Sequence, residues 1–331
     1  MKTRIIVIGI FILMASSAVA QKKGKARPVI FDSDMGPDYD DVGAIAMLHA
    51  FADSGYINIL ATIANTKYEG VAGVFNVLNT YFNRPDLPIG VPKNGLDMKD
   101  RQHWSDTLLA NYTHSIKSNN EVPEAAALYR RLLSRQPDKS VTIITVGFFT
   151  NLANLLQSGA DQYSKLIGKE LVQKKVKGLI SMAGRFPSGK EFNVEKDAAA
   201  SQVVFSQWPT PILLSGFEIG MKIKVGLPLV KNEKIVNNPV KDVFRISIPK
   251  AKEDSAGRMS WDETAVFIAA RGYEPYYKLK KGRMIVAQDG SNTWKEEGDG
   301  HAYLIEKVPF EKVRNEIEHL IQHQPVQKKI K

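Results

Sequence analysis

The chain has no cysteine in its 331 residues. That excludes a disulfide framework and a lipid-modified cysteine behind a cleaved leader. The six histidines do not cluster, so the donor sets that select zinc are missing as well. The apolar run at residues 5–14 is too short to span a bilayer comfortably. No basic stripe is interleaved with aromatic residues, so the net charge of +10 does not imply a nucleic-acid partner. There is no internal repeat, and no linker marks a second domain.

What is present begins with a leader. Met1-Lys2-Thr3-Arg4 is basic, residues 5–14 are apolar, and Ala18-Val19-Ala20 offers a small-residue cleavage site. The expectation is a signal peptide over 1–20, a basic linker over 21–27, one large domain over 28–323 and a basic tail over 324–331. The mature chain is then exported, periplasmic or secreted, with no stable membrane association. Loss of Lys2 and Arg4 lowers the net charge to +8, much of it in the two terminal segments.

The most informative stretch is Val29-Ile30-Phe31-Asp32-Ser33-Asp34-Met35-Gly36-Pro37-Asp38-Tyr39-Asp40-Asp41. Three apolar residues end a buried strand, Gly36-Pro37 turns, and the apolar spacing from Val42 starts a helix. An acidic loop between a strand and the following helix lies at the sheet edge where open α/β folds bind ligands. A helix N-terminus accounts for Asp40 and Asp41, but not for five carboxylates in ten positions. Crowded acids raise each other's pKa unless a cation neutralises them, and hard oxygen donors suit Ca²⁺ or Mg²⁺. The loop is not an EF-hand, because no glutamate stands at the twelfth position.

Further strands are expected at 57–63, 89–91, 141–146, 176–182 and 211–215, with a hairpin joining 283–287 to 302–305 around Asp289-Gly290. Helices are expected at 122–136, from Thr150, at 197–205, at 261–271 and at the C-terminus. Residues 93–119 read as a long polar segment without period. Strands alternating with helices give an α/β class: a single-domain, open, mostly parallel mixed sheet with helices on both faces.

Four segments, in order, resemble the inosine-uridine-preferring nucleoside hydrolase family. They are the aspartate stretch from Asp32 to Asp41, Thr145-Val146-Gly147-Phe148-Phe149-Thr150-Asn151, Glu191-Phe192-Asn193, and Trp261-Asp262. The resemblance implies that family's Rossmann-like fold, a bound Ca²⁺ and hydrolysis of the N-glycosidic bond of ribonucleosides. Position by position, it implies Asp34, Asp41, Asp262 and the Val146 carbonyl as metal ligands, with Asp34 also the base for water. It implies Asp40, Asn65, Glu191 and Asn193 at the sugar.

Several positions have a second reading from the residues themselves. Asp32 braces the loop through backbone N–H groups, Asn65 is a turn residue, and Asp262 caps its helix with Ser260 as a rival. In an extended segment Glu191 and Asn193 face one way while Phe192 enters the core. The chain also departs from the family. Two extra residues separate Asp34 from Asp40-Asp41, so Asp38 can exchange roles with Asp40. Trp261 stands where many members carry a histidine that protonates the leaving base, and the asparagine expected upstream of Glu191 is missing. Trp261, by stacking, and His103, on a loop with Trp104, are the leaving-group candidates.

Two other readings remain. A non-catalytic exported binder of nucleosides or ribosides would keep the metal site. A haloacid-dehalogenase-type phosphatase would use Asp32-Ser33-Asp34, yet Gly36 stands where that family has Thr or Val, and Asp40-Asp41 would have no role. A homo-oligomer is left open.

Overall fold

In the computed structural model, residues 26–326 are described; the expected leader, most of the linker and the last residues lie outside them. Val29, Ile30 and Phe31 are wholly buried because their strand is covered on both sides. Val29 and Phe31 pack with the helices Asp40–Asp53, Val71–Tyr81, Trp261–Arg271 and Phe310–Leu320. Ile30 points the other way, toward Ala125–Ser134, Thr150–Gln157 and Ala198–Gln207. Ile144 and Ile143 divide in the same manner, as the two-residue repeat of a strand requires.

Twelve strands form in chain order: β1 (Arg27–Ser33), β2 (Ile57–Ala64), β3 (Ile89–Gly90), β4 (Val141–Thr145), β5 (Val176–Met182), β6 (Ser188–Lys190), β7 (Ile212–Ser215), β8 (Lys224–Val225), β9 (Arg258–Met259), β10 (Tyr277–Val286), β11 (Ser291–Lys295) and β12 (His301–Glu306). Ten of them make one sheet in the order β3-β2-β1-β4-β5-β7-β12-β10-β11-β6, and β8 pairs with β9. The sheet is parallel from β3 through β12 and antiparallel beyond. The chain runs outward from β1 to β2 and β3, then returns to β4 on the other side of β1. That reversal opens a crevice at the strand C-termini between β1 and β4, where open α/β sheets bind ligands. Among the described residues no helix is long and apolar enough to cross a membrane.

Four expectations are corrected. The hairpin at Asp289-Gly290 joins β10 to β11, and β12 pairs with the first half of β10 instead. Residues 93–119 contain a helix, Trp104–Asn111, started by Asp100, whose carboxylate accepts the Trp104 N–H at 2.7 Å. Glu191 is the last extended residue after β6 and caps the helix Phe192–Lys196, so Phe192 and Asn193 fan around a helix and Phe192 is 39% exposed. Both ends of the domain are also tied in. Arg27 belongs to β1 and donates to the Ala270 carbonyl, and Gln324 accepts from the Tyr81 hydroxyl at 2.9 Å.

Candidate active site

Asp32 is the brace beneath the crevice. It is fully buried at the end of β1 and accepts from Asn65 Nδ2 at 2.6 Å, Tyr129 Oη at 2.7 Å and Asn151 Nδ2 at 3.0 Å. Side chains, not backbone N–H groups, hold it. Burial pushes its pKa up to about 6 against the pull of those three donors. Asn65 bridges onward, its Oδ1 accepting the Phe148 N–H at 3.0 Å. Gly147 lets the ends of β1 and β4 approach: a Cβ there would stand 2.5 Å from Asn65 Oδ1 and 2.7 Å from Asp34 Oδ1. Asp34 and Val146, at the ends of those strands, both line the cavity.

The acids above this brace fall into two groups. Asp41 lies at the start of the helix Asp40–Asp53; its Oδ1 accepts from Ser33 Oγ at 2.5 Å and from the Met35 N–H at 3.1 Å. Its Oδ2 is buried without a hydrogen-bond partner. Asp34 and Asp262 are buried as well, and both carboxyls are driven well above the carboxylate range. Burial is the main cause; next come Asp41 for Asp34 and Asp40 for Asp262. Neither Asp262 nor Ser260 caps the helix Trp261–Arg271; Asp40 does, its Oδ2 accepting the N–H groups of Trp261 at 3.0 Å and Asp262 at 3.2 Å.

Asp40 Oδ1 meets Arg258 Nη2 at 2.6 Å and Nε at 3.1 Å. Four donors therefore saturate the carboxylate that the family resemblance put at the sugar. Asp38 has one strong partner, Arg258 Nη2 at 2.6 Å, and a side chain 40% exposed toward the cavity. Arg258 was not anticipated. Its only signal in the sequence is a cation four residues before Asp262, too common a spacing to single out.

The cavity encloses about 230 Å³. Glu191 and Asn193 form one wall. Glu191 accepts backbone N–H groups of Asn193, Gly184 and Val194, while burial pushes its pKa up to about 7. Phe192, Phe217 and Trp261 form the aromatic part of the lining. The Trp261 indole N–H donates to the Phe217 carbonyl at 2.9 Å and its ring lies 5.2 Å from that of Phe217, so it has no free proton to give.

A divalent cation fits this donor set. Asp41 presents an orphaned buried oxygen, and Asp34 and Asp262 are carboxyls crowded by like charge. These are all hard oxygen donors, as are the main-chain carbonyls.

The sequence profile described as inosine-uridine preferring nucleoside hydrolase matches residues 29–314. The chain belongs to that family. It is thus an enzyme of the nucleoside hydrolase type, acting on N-glycosyl bonds. The pyrimidine-specific ribonucleoside hydrolase RihA of Escherichia coli O1:K1 is 27% identical over 224 residues, 66% of this chain and 69% of that one. Two solved structures share the fold. The purine-preferring ribonucleoside hydrolase from Gardnerella vaginalis has a TM-score of 0.69 at 16% identity, covering 89% of this chain and 99% of that one. An inosine-guanosine nucleoside hydrolase also has a TM-score of 0.69, at 18% identity, covering 90% and 99%.

Within this nucleoside hydrolase, Asp34, Asp38, Asp40, Val146, Glu191, Asn193, Trp261 and Asp262 all border the cavity, and Asp41 is a buried charge felt by Asp34. Two expected residues do not reach it. Asn65 is wholly buried between Asp32 and Phe148. His103 has a side chain 76% exposed and pairs with Asp106, while its neighbour Trp104 is completely buried. The helix Trp104–Asn111 turns the tryptophan inward and leaves the histidine in solvent.

Proposed function

We propose that the chain hydrolyses the N-glycosidic bond of ribonucleosides, giving free base and ribose, with Ca²⁺ as the bound ion. One observation carries this reading: four sequence segments far apart in the chain meet around a single cavity at the β1–β4 crevice. When bound, Ca²⁺ would hold the sugar diol and a water and modestly acidify that water. Asp34, Asp41, Asp262 and the Val146 carbonyl would hold it, of which Asp41 has an orphaned oxygen to offer.

Asp34 takes the proton from the attacking water at its carboxylate. Asp38 replaces Asp40 at a ribose hydroxyl, since Asp40 has no acceptor capacity left. Glu191 and Asn193 hold the remaining hydroxyls. The carboxylates stabilise the positive charge that develops on the ribosyl ring as the bond breaks. Trp261 and Phe217 present aromatic surface to the base, which favours purines through stacking area. Export by a leader over residues 1–20 belongs to the same reading.

The test is ribose release from inosine, guanosine, adenosine, uridine and cytidine, with Ca²⁺ and with a chelator. Chelator-sensitive release is expected. A second reading, a nucleoside binder, draws on Trp261 in place of the family's proton-donating histidine. Tight binding without ribose release over hours would establish it.

A further inference from the structure

Arg258 is 7% exposed, and its charge is met from several sides. Its Nη2 lies 2.6 Å from Asp38 Oδ2 and 2.6 Å from Asp40 Oδ1, and its Nη1 lies 3.8 Å from Asp254 Oδ2. The guanidinium stands over the rings of Tyr39 at 4.9 Å and Trp261 at 5.1 Å. Tyr39 is fixed in turn by donating to Asp254 Oδ2 at 2.6 Å. A planar cation held between two rings and three carboxylates has little freedom to leave.

Its position is informative. Asp38, Asp40 and Asp262 bring oxygens within 4.8 Å of one another, a spacing that a divalent cation can bridge. The guanidinium already sits on two of the three. Asp34, Asp41 and Asp262 form no ion pair with a basic side chain among the described residues. Asp38 is also the extra acid of this chain's lengthened aspartate stretch, and Arg258 is its counter-ion.

We propose that Arg258 serves as a resident second cation. It occupies the place that Asp38, Asp40 and Asp262 would otherwise offer to a second divalent ion, and so restricts the site to one. It is a positioning residue too: by holding Asp40 against the helix Trp261–Arg271, it leaves Asp38 facing the sugar. The sugar clause rests on the hydrolase reading above; the cation count does not.

Isothermal titration with Ca²⁺ and luminescence titration with Tb³⁺ test the count directly. The unaltered protein is expected to bind one ion. Arg258→Met is expected to bind two, Arg258→Met with Asp38→Asn one again, and Arg258→Lys one. For a cleaved nucleoside, Arg258→Met is expected to raise KM at least tenfold, with partial recovery in Arg258→Lys. Two ions bound by the unaltered protein would overturn the proposal whatever the variants do, including a failure of Arg258→Met to fold. One ion in a folded Arg258→Met would overturn it as well. If the stoichiometry changes as expected but no nucleoside is cleaved, the cation role stands and the substrate reading falls.

Discussion

The parallel strands carry a cavity at each end, and the two are unlike. At the strand starts, a groove of about 680 Å³ is bordered by Leu179, Ile212, Leu213 and Ile268, with Lys177 and Lys281 beside them. At the strand ends, a cavity of about 230 Å³ gathers Asp34, Asp38, Asp40, Glu191, Arg258 and Asp262. The larger space is the less chemical one. Strand C-termini collect the loops that lead into helices, so buried acids from the loop after β1, from the helix Asp40–Asp53 and from the helix Trp261–Arg271 converge there. Size follows from how helices cover the sheet; chemistry follows from which ends of the strands the loops join.

Breaking the acid cavity should have the largest effect. Asp41→Ala is expected to abolish both Ca²⁺ binding and turnover, read by titration calorimetry and ribose release; retained calcium affinity would remove Asp41 from the ligand set. Next, Asp34→Asn should lower kcat by about 10²–10⁴-fold, the range for loss of a general base, and weaken Ca²⁺ binding less than Asp41→Ala does, since an amide oxygen remains to ligate. Gly147→Ala adds a methyl 2.5 Å from Asn65 Oδ1 and 2.7 Å from Asp34 Oδ1, so overpacking of about 1–3 kcal/mol and a loss of activity are expected by chemical denaturation and assay.

A pH scan sharpens the contrast without mutation. Burial raises Asp32 from 3.8 to about 6 and Glu191 from 4.5 to about 7. The folded state then holds protons that the unfolded state releases, so stability should fall as pH rises from about 4 to 7. Thermal melts of chelated protein should show that decline, and added Ca²⁺ should reduce it by compensating the ionised cluster. The smallest effect belongs to the other cavity: Lys177→Ala should leave kcat/KM within about twofold, as expected for an exposed side chain remote from the site. A tenfold loss there would mean the two ends are not independent.

Strands and helices with strong periodicity were legible because burial on a strand or helix face repeats in the sequence. β2, β5 and the helix Trp261–Arg271 come out within a residue of where the pattern puts them, while β1 runs on past Phe31 to Ser33. The aspartate stretch was legible because five acids in ten positions across a strand-to-helix junction are more than bracing and capping require, although Asp32 and Asp40 turn out to do those two jobs. Phe192 was misplaced because period-two reasoning was applied to three residues that form a helix start. Asn65 and His103 were misplaced because polar loop residues carry no sign of whether they face a cavity, a neighbour or water.

By itself the sequence determined the α/β class, the acidic loop at the end of the first strand and the resemblance that names the family. These depend on local pattern and on residues adjacent in the chain. Tertiary structure alone decided that Asp40 caps a helix more than 200 residues away, that Asp38 and not Asp40 keeps acceptor capacity to spare, and that Arg258 holds both. A carboxylate's role depends on which donors reach it, and here the decisive donors come from a distant helix start and a distant strand.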